Sequence, residues 1–281
     1  MANEVIETTG SPVADAGESG TILLARAEID QLIATSRMYP RDIQAATKSI
    51  MAYATMSKDA AASMLYRLSR KDKKTGEDKS IEGPGIRFAE ALAQSWGNFR
   101  VAQRIIEINR KDKHLIVEGV FLDTQTNGMT AKRVQRGIRT SGGYLYSDDM
   151  INVTANAAGS IAIRNAILAG IPRMVWWPAY EAALKKVAGT AAEAPDRLAR
   201  ALAWFVSKGA DEVSVLSAIF LEDKSEVLPD HIVKLEGMRA SLINGEATLD
   251  DLLGRTREAE HAVVDNPLED GPAKGKKEKA A

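Results

Sequence analysis

The sequence predicts an α+β fold whose core is a helix, a three-stranded antiparallel sheet and a long helix. The stretches 99–108 and 114–124 are rich in β-branched residues and flank a polar turn at 109–113, and 129–139 is the third predicted strand. Asn127-Gly128 joins the second and third stretches as a hairpin signal. Apolar residues recur at helical spacing on both sides of this region. N-terminal helices precede the core, and a small all-α module follows it.

Residues 1–20 combine small, polar and acidic residues without periodicity, which predicts a disordered arm. A helix follows, with an apolar face formed by Ile22, Ala25, Ile29, Leu32 and Ile33. It ends at Tyr39-Pro40 because proline disfavours helical geometry in the preceding residue. A second amphipathic helix covers 43–53, and Ser57 is suited to cap a third.

Residues 67–79 hold six basic and three acidic residues around Gly76, which predicts an exposed, mobile loop. Lys73 and Lys74 of this loop are candidates for phosphate contact, and a solvated surface is the alternative. Gly83-Pro84-Gly85 then predicts the start of a helix. Its buried stripe is Phe88, Leu92 and Trp96, and Gly97 is suited to end it.

Cations alternate along the predicted strands. Arg100 and Arg104 share a face of the first strand, and Lys132 and Arg136 share a face of the third. We therefore expect two rows of cations to flank the central strand. In the turn between the first two strands, Lys111 and Lys113 are expected to bind a nucleic-acid backbone or contact a neighbouring subunit.

The long helix after the sheet is expected to begin behind Ser147 as its cap and to run to Pro172. Asp148 and Asp149 suit the positive end of its dipole. Arg164 lies deep within this apolar helix, and it is either a paired structural arginine or a groove contact.

The remaining chain predicts a helical C-terminal module. A helix over 179–188, after Trp176-Trp177-Pro178, leads into a linker of small residues, and three amphipathic helices follow between 196 and 243. Thr248 is suited to cap a short last helix. We expect four regions: a disordered arm at 1–20, a nucleic-acid-binding domain at 21–189, a helical module at 190–255 and a disordered tail at 256–281.

Charge and composition limit the classes of function. The chain has 37 basic and 38 acidic residues, so any site for a polyanion must be local. The absence of cysteine excludes disulfides, thiolate zinc sites and cysteine nucleophiles. No apolar run approaches the roughly 20 residues that span a bilayer, and the acidic start lacks a hydrophobic signal core. A cytosolic protein without a cofactor is the expectation.

The predicted sheet is the local basic region. Nine basic and four acidic residues between 100 and 139 give a charge of +5, so the rest of the chain carries −6. Such segregation is typical of a groove for a phosphate backbone. The candidates for phosphate contact are Arg100, Arg104, Lys132, Arg133, Arg136 and Arg139, and the candidates for base stacking are Tyr144 and Tyr146. With about four phosphates neutralised, the log–log salt slope for single strands is expected near −3.

Catalytic motifs are absent from the sequence. It contains no Walker-type phosphate loop, GxSxG elbow, HExxH pair or EF-hand loop. Without a phosphate loop, an ATP-driven helicase or strand-exchange enzyme is disfavoured. A two-metal nuclease site built from Asp148, Asp149 and the strand acids Glu107, Glu118 and Asp123 is an alternative, but adjacent acids at a helix start are more often a cap.

The order of elements resembles the core of the phage single-strand annealing proteins of the RecT and Erf type. The segments that carry this resemblance are SIEGPGIRFAEALAQSWGNFRV and YSDDMINVTANAAGSIAIRNAI, with RLARALAWFVSKGA and SLINGEATLDDLL resembling the small helical module at the end of some phage recombination proteins.

The resemblance implies an ATP-independent protein that forms rings or filaments, holds single-stranded DNA beside its sheet and anneals a complementary strand. It also implies a phage exonuclease and the host single-strand-binding protein as partners, in the bacterial cytoplasm. Three other functions stay open: a non-annealing regulator that binds DNA or RNA, an oligomeric assembly protein and a nuclease.

Overall fold

The computed structural model of the protein describes residues 16–71, 78–140 and 142–253. Its helices are α1 (Ala16–Met38), α2 (Ile43–Thr55), α3 (Lys58–Ser63), α4 (Ile86–Trp96), α5 (Asp148–Gly170), α6 (Arg173–Ala188), α7 (Ala194–Ser207), α8 (Glu212–Ala218), α9 (Pro229–Ile243) and α10 (Leu249–Leu252). Its strands are β1 (Leu65–Lys71), β2 (Asp78–Pro84), β3 (Phe99–Asn109), β4 (His114–Asp123) and β5 (Gly128–Gly137). The predicted α+β fold class is confirmed.

The main sheet has the antiparallel order β3-β4-β5. The predicted hairpin between β4 and β5 is confirmed, but residues 124–127 form its turn, so Gly128 is the first residue of β5 and lies opposite Asp123. Asn127, the last residue of the turn, has a positive φ of 57°. One irregularity interrupts β3: Ile105 lies opposite Val117 while Glu107 lies opposite Ile116, so Ile106 is an extra residue in a β-bulge. The bulge changes which side chains of β3 point to each face of the sheet.

Helix α5 covers one face of this sheet, which we call the helix face. A Cβ on Gly119 of β4 would lie 2.3 Å from the carbonyl carbon of Ala162. Only glycine therefore permits this close approach of strand and helix. Ser147 caps α5, as predicted, because its hydroxyl accepts a hydrogen bond from the amide of Met150. The opposite side of the sheet, which α5 does not cover, is called the open face.

Helices α2, α4 and α6 form a second layer beside the sheet. The predicted stripe of α4 is confirmed, since Phe88, Leu92 and Trp96 are all buried. The ring of Phe88 packs edge-on against Trp176 of α6, with centroids 6.0 Å apart. Helix α6 begins at Arg173, before the predicted start at 179, so Pro178 lies inside it. Burial of the surrounding α6 side chains offsets the backbone hydrogen bond that this proline cannot make.

The prediction of a loop at 67–79 is wrong in part, because both ends of this stretch belong to the antiparallel hairpin β1–β2. Arg67 is fully buried, and its guanidinium lies 2.9 Å from Glu82. Pro84 ends β2, so α4 begins at Ile86 rather than at the proline. Residues 72–77, with the candidates Lys73 and Lys74, lie outside the described residues.

The C-terminal helices pack against this hairpin through a common core. Leu68 of β1 is buried with Leu198, Phe205 and Met238. The predicted cap of the last helix is confirmed, since the Thr248 hydroxyl accepts a hydrogen bond from the amide of Asp251.

Helix α1 ends at Met38, as Tyr39-Pro40 predicts, and begins at Ala16, within the arm predicted to be disordered. Residues 1–15 of that arm and the predicted tail at 256–281 lie outside the described residues. Within the described ranges, no helix is both long enough and apolar enough for a bilayer crossing.

Candidate nucleic-acid interface

Three charged side chains form one row across the sheet. Arg104 on β3 lies opposite Glu118 on β4, and Glu118 lies opposite Arg133 on β5. Residues directly opposite each other in antiparallel strands point to the same face. Because Gly119 faces α5, its neighbour Glu118 points away from the helix. The row therefore lies on the open face, and we call it the arginine row.

Glu118 holds both arginines in place. The Nε atom of Arg104 donates to Glu118 Oε2 at 2.7 Å, with a second contact from Nη2, and the Nε atom of Arg133 donates to Oε1 at 2.9 Å. The side chain of Glu118 is 4% exposed, whereas those of Arg104 and Arg133 are each 67% exposed. The carboxylate is thus covered by two guanidinium groups whose outer edges face solvent.

The hydrogen bonds from Arg133 and Arg104 hold the pKa of Glu118 below its ordinary value. The carboxylate is therefore ionised near neutral pH, and the arginine row carries a net charge of +1. Arg100, opposite Leu122 on the same open face, adds a further cation. Its guanidinium lies 3.8 Å from Glu28 of α1. Arg104 and Arg133 are thus positioned to contact phosphates across one surface, and Arg100, which is half-buried, lies on the same face.

The expected pair of cation rows is not assembled on one face. Lys132 lies opposite Gly119 and Arg136 opposite Leu115, both of which point toward α5. Arg136 is half-buried and donates to the carbonyl oxygen of Glu246 at 3.4 Å. The physical reason is the bulge at Ile106. Without the extra residue, Arg104 would share the helix face with Lys132.

Arg164 is a paired structural arginine and not a groove contact. Its side chain is 9% exposed, and Nη1 lies 2.6 Å from the buried carboxylate of Glu246. The guanidinium also covers the ring of Tyr66, 4.0 Å from the centroid. Glu246 accepts a second hydrogen bond from the amide of Ile86, at the start of α4. Burial raises the pKa of Glu246, while Arg164 and this amide act in the opposite direction.

The turn cations have separate environments at one end of the sheet. Lys111 is exposed. Lys113 donates to the carbonyl oxygen of Gly143 at 2.5 Å, which fixes it to the segment before α5. Arg110 lies 2.6 Å from Asp148. Of the two turn candidates, Lys111 is therefore the exposed one, whereas Lys113 is half-buried.

The segment between β5 and α5 positions the remaining candidates. Arg139 is half-buried and forms an isolated β-bridge with Leu145. Tyr144 is 76% exposed, whereas Tyr146 packs against the core between α5 and the sheet. Tyr144 is thus available for stacking, and the ring of Tyr146 is partly withdrawn from solvent.

Two acids of the alternative nuclease site, Glu118 and Asp123, are bound by arginines. Asp123 lies 2.9 Å from Arg41 and accepts a hydrogen bond from Trp96 Nε1 at 3.0 Å. Burial alone would raise the pKa of Asp123, but the hydrogen bonds from Arg41, Trp96 and a backbone amide keep it below its ordinary value. Within the described residues, no three Asp, Glu, His or Cys side chains are grouped to hold a metal ion.

Sequence reasoning missed the role of Glu118. Its signal was a single acid at the centre of the middle strand, between strands rich in arginine.

The comparisons with known proteins identify no relative: no protein-family model, curated protein or solved structure matches the chain.

Proposed function

We propose that this protein binds single-stranded DNA and anneals complementary strands without ATP, as an oligomer in phage-type homologous recombination. The arginine row carries the proposal, because Arg104 and Arg133 present exposed guanidinium edges that Glu118 holds at fixed positions. Guanidinium groups bind phosphate oxygens through paired hydrogen bonds. Positioned cations of this kind support a polyanion site better than mobile surface lysines do.

The open face favours contact with the backbone over readout of bases. Between the arginines, β4 presents the half-buried aliphatic residues Ile116, Val120 and Leu122. Phosphates bound to the arginines would leave the bases of the strand free to pair, which annealing requires. Three open-face arginines lower the expected salt slope from near −3 to about −2 for single-stranded DNA.

The test measures annealing of two dye-labelled complementary strands without ATP, at low and moderate salt. The informative variant is the triple change Arg104→Gln, Glu118→Gln and Arg133→Gln, because it removes the row without leaving Glu118 buried and unpaired. Its matched control is Lys132→Gln on the helix face, which lowers the net charge by the same amount. Circular dichroism and thermal unfolding verify that both variants are folded.

We expect the triple variant to lose binding and annealing, and Lys132→Gln to retain both. Equal loss in the two variants would show that the response follows overall charge, and the arginine row would then not be the site. Tight binding without faster annealing would favour the non-annealing regulator. No binding by the native protein would favour the assembly protein.

A further inference from the structure

Strand β3 is an outer strand of the sheet with an uncovered edge. Residues 102–108 are all exposed, and Ile105, Ile106 and Ile108 are 51%, 43% and 41% exposed. Helix α5 packs mainly over β4 and β5, so it leaves the apolar side chains of β3 without cover. A long outer strand also presents backbone amides and carbonyls that lack a neighbouring strand. This edge is suited to pair with another strand.

We propose that the β3 edge pairs with the β3 edge of a second copy of this chain. The two strands run antiparallel about a two-fold axis, with Arg104 opposite Glu107 and Gln103 opposite Ile108. The pairing deepens the oligomer named in the proposed function by assigning the surface that forms it. It involves no nucleic acid, so it can be tested independently.

The directions of the side chains agree with this register. Arg104 and Glu107 both lie on the open face, since their β4 partners are Glu118 and Ile116. Gln103 and Ile108 both lie on the helix face, opposite Gly119 and Leu115. The bulge at Ile106 produces this match, because it places residues three positions apart on the same face. In a regular strand, Arg104 and Glu107 would point to opposite faces.

Charge complementarity favours a second β3 as the partner. The two-fold axis generates two pairs of Arg104 with Glu107, one from each copy. Among the described residues, Glu118 accepts from Nε and Nη2 of Arg104, and no group accepts from Nη1. One N–H of that nitrogen is therefore left to bind Glu107 of the second copy, and its other N–H, together with the second N–H of Nη2, still forms the outer edge that faces a phosphate.

The other edge of the sheet is a poorer partner. Strand β5 carries Lys132, Arg133 and Arg136. Pairing β3 with β5 of a second copy would bring Arg104 beside these cations, and like charges on adjacent strands destabilise a pair. The β3–β3 arrangement avoids this contact and joins two sheets into one. Both open faces then lie on the same side, which doubles the arginine surface available to a DNA strand.

The test uses the purified full chain without DNA. Sedimentation at micromolar concentration measures its mass, which we expect to be a dimer or a multiple of one. Ile105→Lys places a charge at the centre of the paired edge and is expected to abolish the dimer. Val213→Lys, at an exposed position on α8, is the matched control and is expected to keep it.

Disulfide formation tests the register, because the native chain has no cysteine. Opposite residues in antiparallel strands have Cα atoms about 4.5–5.5 Å apart, within disulfide reach. The double variant Gln103→Cys/Ile108→Cys should therefore form covalent dimers on oxidation. Each single variant should not, since the bulge leaves four strand positions between residues 103 and 108, which places each residue about 14 Å from its own counterpart in this register.

Three results would overturn the proposal: a monomeric native protein, no covalent dimer in the double variant, or equal cross-linking in the single variants. A dimer with the expected cross-link that does not bind DNA would refute the proposed function and leave this pairing intact. A monomer that binds DNA would refute this pairing and leave DNA binding by the arginine row intact.

Discussion

Replacing Glu118 by glutamine is expected to strengthen the binding of single-stranded DNA. In the native protein the carboxylate of Glu118 contacts Arg104 and Arg133, each within 2.9 Å. A phosphate on the outer edge of either guanidinium would lie about 6 Å from this carboxylate, close enough for substantial repulsion. Screening by salt reduces this repulsion, and we expect binding about fivefold tighter after its removal, at low salt.

The assay is fluorescence anisotropy of a dye-labelled oligonucleotide titrated with protein over a series of salt concentrations. Glu222→Gln is the control, because it removes one exposed carboxylate from the loop between α8 and α9, outside the sheet. The advantage of Glu118→Gln over this control should shrink as salt rises. A folded Glu118→Gln variant with unchanged or weaker binding would refute the reasoning, since the positions that Glu118 gives to the two arginines would then matter at least as much as the repulsion between its carboxylate and phosphate.

Two further predictions concern stability. Asp123→Asn should lower the free energy of unfolding by about 3 kcal/mol at neutral pH, because it leaves Arg41 buried without its partner. Since the folded-state pKa of Asp123 is lowered, the difference between native and variant should shrink as pH falls below about 4. Urea unfolding at a series of pH values measures the difference in the free energy of unfolding. A difference that does not change with pH would contradict the assigned ion pair between Asp123 and Arg41. Gly119→Ala should cost about 1–3 kcal/mol or more, because its Cβ meets the backbone of Ala162. Gly159→Ala meets only the exposed amide of Gln103 and should stay within about 1 kcal/mol of the native protein; equal thermal stability of the two variants would contradict this distinction.

Local sequence signals predicted most of the core. The hairpin between β4 and β5, the cap at Ser147 and the β-branched runs each depend on neighbouring residues, and the structure confirms all three. The β1–β2 hairpin was missed because its charged sequence forms a strand through burial of Leu68 and Arg67 against the C-terminal helices. Such tertiary contacts override local preference.

The candidate site shows a different limit. Alternation along a strand correctly predicted that Arg100 and Arg104 share one face of the sheet and that Lys132 and Arg136 share one face. Whether the two pairs lie on the same face depends on the register between the strands. Near the turn, Glu107 lies opposite Ile116, and beyond Ile106 the pairing shifts by one residue. That single shift turns Arg100 and Arg104 to the open face. No residue pattern in β3 signals the bulge, so sequence reasoning placed cations from both faces in one groove.

The buried carboxylate of Glu246 has a practical consequence for dividing the chain. It comes from the segment after α9, yet it neutralises Arg164 of α5 and accepts the amide of Ile86 at the start of α4. A fragment that ends at residue 189 would retain both groups and lose their common partner, leaving a cation and a helix start unpaired in the interior. The part that carries the arginine row therefore depends on a residue supplied from beyond its own predicted boundary.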